Sequence, residues 1–121
     1  MSTGALLCKK MKGYYKCICC HFEGYPTYML NTLNTYYSNE EQVNKLLSYG
    51  NASYIGSLLE PTKPGHTFNT PQEDVCIFYI RDRGDKQYEQ GCGRLSLKRI
   101  KQNNNDYIYI YKEGKWEVMY R

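Results

Sequence analysis

Two short polar segments of the chain hold groups that recognise phosphate and aromatic ligands. Cys20-His21-Phe22-Glu23-Gly24-Tyr25-Pro26 supplies an imidazole, a carboxylate and a phenol, and Arg81-Asp82-Arg83-Gly84 supplies two guanidinium groups. Arginine meets phosphate with a planar fork of donors, tyrosine stacks on a base, and a carboxylate accepts from a ribose hydroxyl. If the two segments share a rim, His21, Glu23, Tyr25, Arg81 and Arg83 form a site for an anionic, nucleotide-like small molecule. The competing arrangement pairs the arginines with Asp82, Asp85 or Glu23 as solvated salt bridges. His66 and Phe68 carry the chemistry of the Pro-, Gly- and Thr-rich loop 61–71, which is free enough to lie over such a pocket.

Other constellations are weaker. Cys17, Cys19, Cys20 and His21 are zinc-ligand types, but on a strand Cys17 and Cys19 face one way and Cys20 the other, whereas tetrahedral sites draw paired ligands from a C-x₂₋₄-C turn. Buried apolar cysteines are the expectation, with no metal and no cofactor. A cysteine nucleophile with His21 or His66 lacks a local signature. Glu23, Asp82, Asp85 and Glu113 offer acid and base pairs that most chains of this size contain. There is no Walker A loop, Rossmann fingerprint or HExxH, and the glycines at 91 and 93 read as a turn. An enzyme is therefore not indicated.

The elements that must position these residues follow from periodicity. Gly13 to His21, with Tyr14, Tyr15, Cys17, Ile18, Cys19 and Cys20, is an aromatic and apolar run of strand length that reads as a buried strand. Pro26 suits the first turn of a helix, and Met29, Leu33, Tyr36 and Tyr37 recur on one face of it. Ser38 and Glu41 match a capping box for a second helix with Val43, Leu46 and Leu47, ended by Gly50. Residues 51–60 are expected to add a short helical turn, Val75 to Ile80 a buried strand, and Leu95 to Ile100 a short helix. Tyr107 to Tyr111, the Glu113-Gly114 turn and Trp116 to Tyr120 make a terminal β-hairpin. The expected fold is α+β, a small antiparallel sheet packed by two or three helices, with residues 1–12 a flexible segment and residues 13–121 a single domain.

Composition agrees with one globular domain. The chain has 121 residues, 41% hydrophobic and 23% charged, enough to bury roughly two-thirds of its unfolded surface. A net charge of +4, with the 16 basic residues dispersed, favours small anions over long nucleic acid. Fourteen tyrosines supply either recognition surface or half-buried strand positions. Residues 1–12 contain no secretory or membrane-spanning apolar run, so a cytoplasmic protein with free thiols at its six cysteines is expected. The Tyr-rich hairpin leaves apolar surface that suits at least a homodimer.

The segment Cys20 to Pro26, the helices after it, Phe78-Tyr79-Ile80-Arg81-Asp82-Arg83-Gly84 and Gly114-Lys115-Trp116 resemble a family of small phage and prophage proteins. That family shows Cys-His-Trp-Asp-Gly-Tyr-Pro, a Leu-rich helix, Arg-Asp-Arg-Gly and a Gly-Lys-Trp hairpin. Here Phe22 and Glu23 stand for its Trp and Asp, and the resemblance spans residues 13–120. It implies a phage protein acting in the host cytoplasm against bacterial defence. Some small phage proteins sequester cyclic or ADP-ribose-derived immune nucleotides as oligomeric sponges, and that class suits these residues. The alternatives are an inhibitor that binds a host defence protein, and a small nuclease or nucleotide hydrolase built on His21, Glu23 and the arginines.

Overall fold

A continuous buried run near the start of the chain sets the architecture. In the computed structural model, which describes residues 3–86 and 93–119, Ala5, Leu6, Leu7, Cys8 and Lys9 are all buried in strand β1 (Ala5–Lys10). The expected flexible terminus is therefore a central strand. Its signal was masked because both faces are covered, and because Lys9 is neutralised by donating to Glu40 Oε1 at 2.8 Å and Asn44 Oδ1 at 2.6 Å. The folded unit accordingly starts well before residue 13.

Strand β2 (Tyr15–Cys20) pairs antiparallel with β1, and the chain then enters α1 (Pro26–Tyr36) and α2 (Glu40–Ser48). Pro26 begins α1 as expected. Asn39 caps α2 by accepting from the Gln42 amide at 2.8 Å, in place of the expected Ser38 box. Strand β3 (Ala52–Tyr54) replaces the expected helical turn, because β2 and β4 (Ile77–Phe78) supply partners on its two sides. The expected strand 75–80 is shorter than its composition suggests. At Tyr79 the chain turns into helix α3 (Tyr79–Arg83), and Gly84 ends it in the left-handed conformation at φ 86°.

Strand β5 (Arg94–Leu95) and helix α4 (Leu97–Lys101) follow, and β6 (Tyr107–Lys112) with β7 (Lys115–Met119) form the expected hairpin. The sheet has seven strands in the order β4-β3-β2-β1-β6-β7, with β5 on the first half of β2. It is mixed rather than small and antiparallel, since β1 runs parallel to β6 and β2 parallel to β3. No sequence periodicity reports which strand lies beside which.

One face of the sheet, with Leu7, Ile18, Cys20, Tyr109, Tyr111 and Trp116, packs in a single cluster with Met29, Leu33, Val43 and Leu46 of α1 and α2. Trp116 is 1% exposed and donates its indole N–H to Tyr37 O at 2.7 Å. Asn34 of α1 bonds both the amide and the carbonyl of Trp116, which covers the edge strand β7. The opposite face holds a smaller cluster of Leu6, Cys8, Cys17, Ile108 and Ile110 under Ile100 of α4.

The cysteines divide accordingly. Cys8, Cys17, Cys20 and Cys76 are buried and free, whereas Cys19 is disulfide-bonded, which corrects the expectation of thiols throughout. Cys92 lies outside the described residues, as does Gly91. No described helix is long and apolar enough to cross a membrane.

Candidate functional site

Strand β3 lies between β2 and β4, so the end of β2 and the start of α3 meet on one side of the sheet. Tyr79 opens α3 and sends its phenol to His21, with its oxygen 2.5 Å from Nδ1. The Ser53 side chain bonds the same phenol. Burial, the largest influence, pushes the Tyr79 phenol above its ordinary range, keeping it a donor. His21 itself is exposed.

Phe68 and Arg83 complete this cluster. The Phe68 ring lies 5.6 Å from that of Tyr79, and its amide donates to Asp82 O at 3.1 Å, tying the loop to α3. The Arg83 guanidinium sits 4.4 Å over the Tyr79 ring and 5.0 Å over the Phe68 ring. Cation–π attraction holds it against both rings. Asp85 grips it with two contacts of 2.8 and 2.7 Å, and this pairing holds the Asp85 carboxyl below its ordinary value. The structure thus joins His21, Phe68 and Arg83 around Tyr79, whose place in the apolar run 75–80 marks it for a strand and not for a site.

Arg81 and His66 have a different job. Arg81 lies against the stacked rings of Tyr49 and Phe78, 5.1 and 5.0 Å from their centres, and donates to Leu59 O, Cys76 O and both Asp82 oxygens. Those bonds consume its fork, so it organises the protein instead of meeting a ligand. The His66 side chain is 2% exposed; Nδ1 accepts from the Gln72 amide at 3.0 Å, and Nε2 donates to Cys76 O at 3.2 Å beside Asp82. Its expected ligand role is corrected on that ground. Asp82, 4% exposed, also accepts from the Phe78 amide at 2.8 Å. Burial tends to raise its carboxyl, but Arg81, that amide and His66 outweigh it and leave the group below its ordinary value.

Glu23 and Tyr25 pair with each other. Glu23 takes a left-handed conformation at φ 60°, and its carboxylate accepts from the Tyr25 phenol at 2.5 Å. That hydrogen bond to the carboxylate pushes the phenol upward. The Tyr25 ring lies 6.3 Å from Tyr28, which stacks on Tyr54 and donates to Ile55 O. Tyr28 and Tyr54 line an open cleft of about 310 Å3 with Asn31, Tyr36, Ser57 and Asp74. Helical spacing flagged Tyr36 but gave no hint of Asp74, which reaches the cleft from a distant loop.

Gly24 belongs to packing. A Cβ there would sit 2.6 Å from Thr3 O and 3.0 Å from the Ala5 side chain. Its amide donates to Thr3 O at 2.9 Å and its carbonyl accepts from Tyr109 at 2.6 Å, seating the segment on the start of β1. No protein-family model, curated protein or solved structure matches the chain.

Proposed function

We propose that the protein binds an anionic, nucleotide-derived small molecule on the rim formed by His21, Tyr79, Phe68 and Arg83, and holds it without turnover. The observation that carries this reading is the guanidinium of Arg83 in cation–π contact with the Tyr79 and Phe68 rings, with an exposed imidazole bonded to the same Tyr79. A phosphate oxygen gains charge-assisted bonds from Arg83 and His21 Nε2, and the aromatic pair offers a stacking edge to a base. The Tyr79 and Phe68 rings hold the guanidinium in place while Asp85 competes for it, so the ligand must carry enough negative charge to share Arg83.

The resemblance to small phage proteins makes a cyclic oligonucleotide or ADP-ribose derivative the ligand class, and sequestration of an immune signal in the host cytoplasm, by an oligomer, the biological role. The Glu23 carboxylate is engaged by Tyr25, which draws it away from acid–base work with His21. Thermal shift and calorimetry against cyclic dinucleotides, cyclic trinucleotides and ADP-ribose derivatives test the proposal. Binding with the ligand recovered intact, weakened at least tenfold in His21→Ala and in Arg83→Ala, is expected. Unchanged affinity in both variants removes the site; recovery of a cleaved ligand makes the protein an enzyme.

A second reading has its own support. Phe22, Tyr25, Tyr36 and Leu58 are large apolar groups left 47, 38, 46 and 40% exposed. They suit an inhibitor docking on a host protein. Such an inhibitor loses its partner on Phe22→Ala or Tyr36→Ala and is indifferent to Arg83→Ala.

A further inference from the structure

Strands β1 and β2 place Cys8 directly opposite Cys17. The Cys17 amide points away from β1 and donates to Gly93 O at 2.6 Å, so the two cysteines form a non-hydrogen-bonded pair, the arrangement in which opposed side chains stand closest. Their sulfurs are 2.8 Å apart, with the Cys17 thiol donating to Cys8. We propose that Cys8 and Cys17 are an oxidative modification site, where a peroxide closes a cross-strand disulfide.

The chemistry balances with one peroxide. A Cys17 thiolate attacks a peroxide oxygen, the O–O bond breaks, and the leaving hydroxide takes a proton to become water. The resulting sulfenic acid is then attacked at sulfur by Cys8; the S–S bond forms, the S–O bond breaks, and a second water leaves with the thiol proton. Two thiols are oxidised by two electrons and the peroxide is reduced to two waters.

Access and selectivity follow from the fold. Both thiols lie in the minor cluster, which α4, a helix of only five residues, covers through Ile100. Beside Cys8 in the register stands Ile110, which also lines a hollow of about 180 Å3 with Tyr15, Lys112 and Met119. A small oxidant enters there when α4 opens locally. Between openings, burial and the neighbouring Cys17 keep the Cys8 thiol far above its ordinary range and unreactive. Cys20 and Cys76 lie in the other cluster and are engaged otherwise, Cys20 with the carbonyls of Phe22 and Ser53, Cys76 with Tyr37 and Gly56.

The test exposes the full chain to hydrogen peroxide, quenches with catalase, denatures it, alkylates it and maps the peptides by mass spectrometry. The expected result is a peptide joining Cys8 to Cys17, loss of two alkylatable thiols per chain, and a melting temperature raised by roughly 5–10 °C. Cys8→Ser and Cys17→Ser each abolish the link and the rise, while Cys20→Ser retains both. Recovery of Cys8 and Cys17 as alkylated thiols or as sulfinic acids, in protein that keeps its far-UV circular dichroism, overturns the proposal, as does a link between any other pair.

Discussion

Replacing Asp82 by Asn tests whether the Arg-Asp-Arg-Gly segment is a structural clamp around one buried carboxylate. Oδ1 accepts from Arg81 Nε at 2.8 Å, while Oδ2 accepts from the Phe78 amide at 2.8 Å and Arg81 Nη2 at 3.1 Å, with His66 Nε2 at 3.3 Å. Asparagine keeps the shape but turns one oxygen into an NH₂ group, so whichever way the amide flips, a donor faces a donor. One buried unsatisfied donor costs about 1–3 kcal/mol, and losing charge from the remaining bonds adds to it. Arg81 is 21% exposed, and water screens part of that loss. The sum is about 2–4 kcal/mol, a large share of the roughly 5–15 kcal/mol that holds a domain folded, and lowers the melting temperature by on the order of 10 °C. Urea unfolding followed by the fluorescence of Trp116, the single tryptophan and a buried one, measures it. Asp85→Asn, at the solvent-facing pair with Arg83, serves as the control and is expected to leave the urea midpoint nearly unchanged. A loss below about 1 kcal/mol in Asp82→Asn refutes the clamp.

The same carboxylate predicts a pH dependence. Its folded pKa lies below the ordinary 3.8, so its stabilisation is complete above that value and is lost as pH falls through it towards the folded pKa; acid unfolding monitored at stepwise pH shows this slope, and Asp82→Asn lacks it. Gly24→Ala is expected to cost at least about 2 kcal/mol in urea unfolding, because the added Cβ meets the backbone carbonyl of Thr3, which cannot rotate away. Glu113→Asn should instead stabilise by about 0.5–1 kcal/mol. Glu113 and Gly114, at φ 53° and 79°, form a two-residue hairpin turn with both residues left-handed, where asparagine is favoured over glutamate. No gain in that variant contradicts the turn assignment.

Helices α1 and α2 and the terminal hairpin were legible because their signals are local: Pro26 at a helix start, apolar residues at 3.6 spacing, and alternation around Glu113-Gly114. Strand β1 was not, because a strand covered on both faces does not alternate and because Lys9 finds its counter-charge in α2, a partner invisible along the chain. Val75 to Ile80 has strand composition, yet the carboxylate of Asp82 caps the Phe78 amide and turns the chain into α3. Tertiary hydrogen bonding overrode local propensity there. The site divided in the same way. Residue types singled out His21 and Arg83, and the sheet order brought them together; the same types singled out Arg81 and His66, whose donors are spent inside the protein. Nothing in residue type separates Arg83, which is 48% exposed at the rim, from Arg81, whose donors close a loop.

Binding of an anionic nucleotide where Arg83 and His21 flank Tyr79 has a direct thermodynamic test. The most direct measurement is isothermal titration of the full chain with cyclic oligonucleotides and ADP-ribose derivatives, repeated with Arg83→Ala and with Asp85→Asn as a neighbour that leaves the guanidinium in place. The account predicts saturable binding of at least one of these ligands, lost at least tenfold in Arg83→Ala and retained or strengthened in Asp85→Asn, where competition for the guanidinium is relieved. Binding that is indifferent to Arg83, or no binding across the panel by a folded protein, contradicts it.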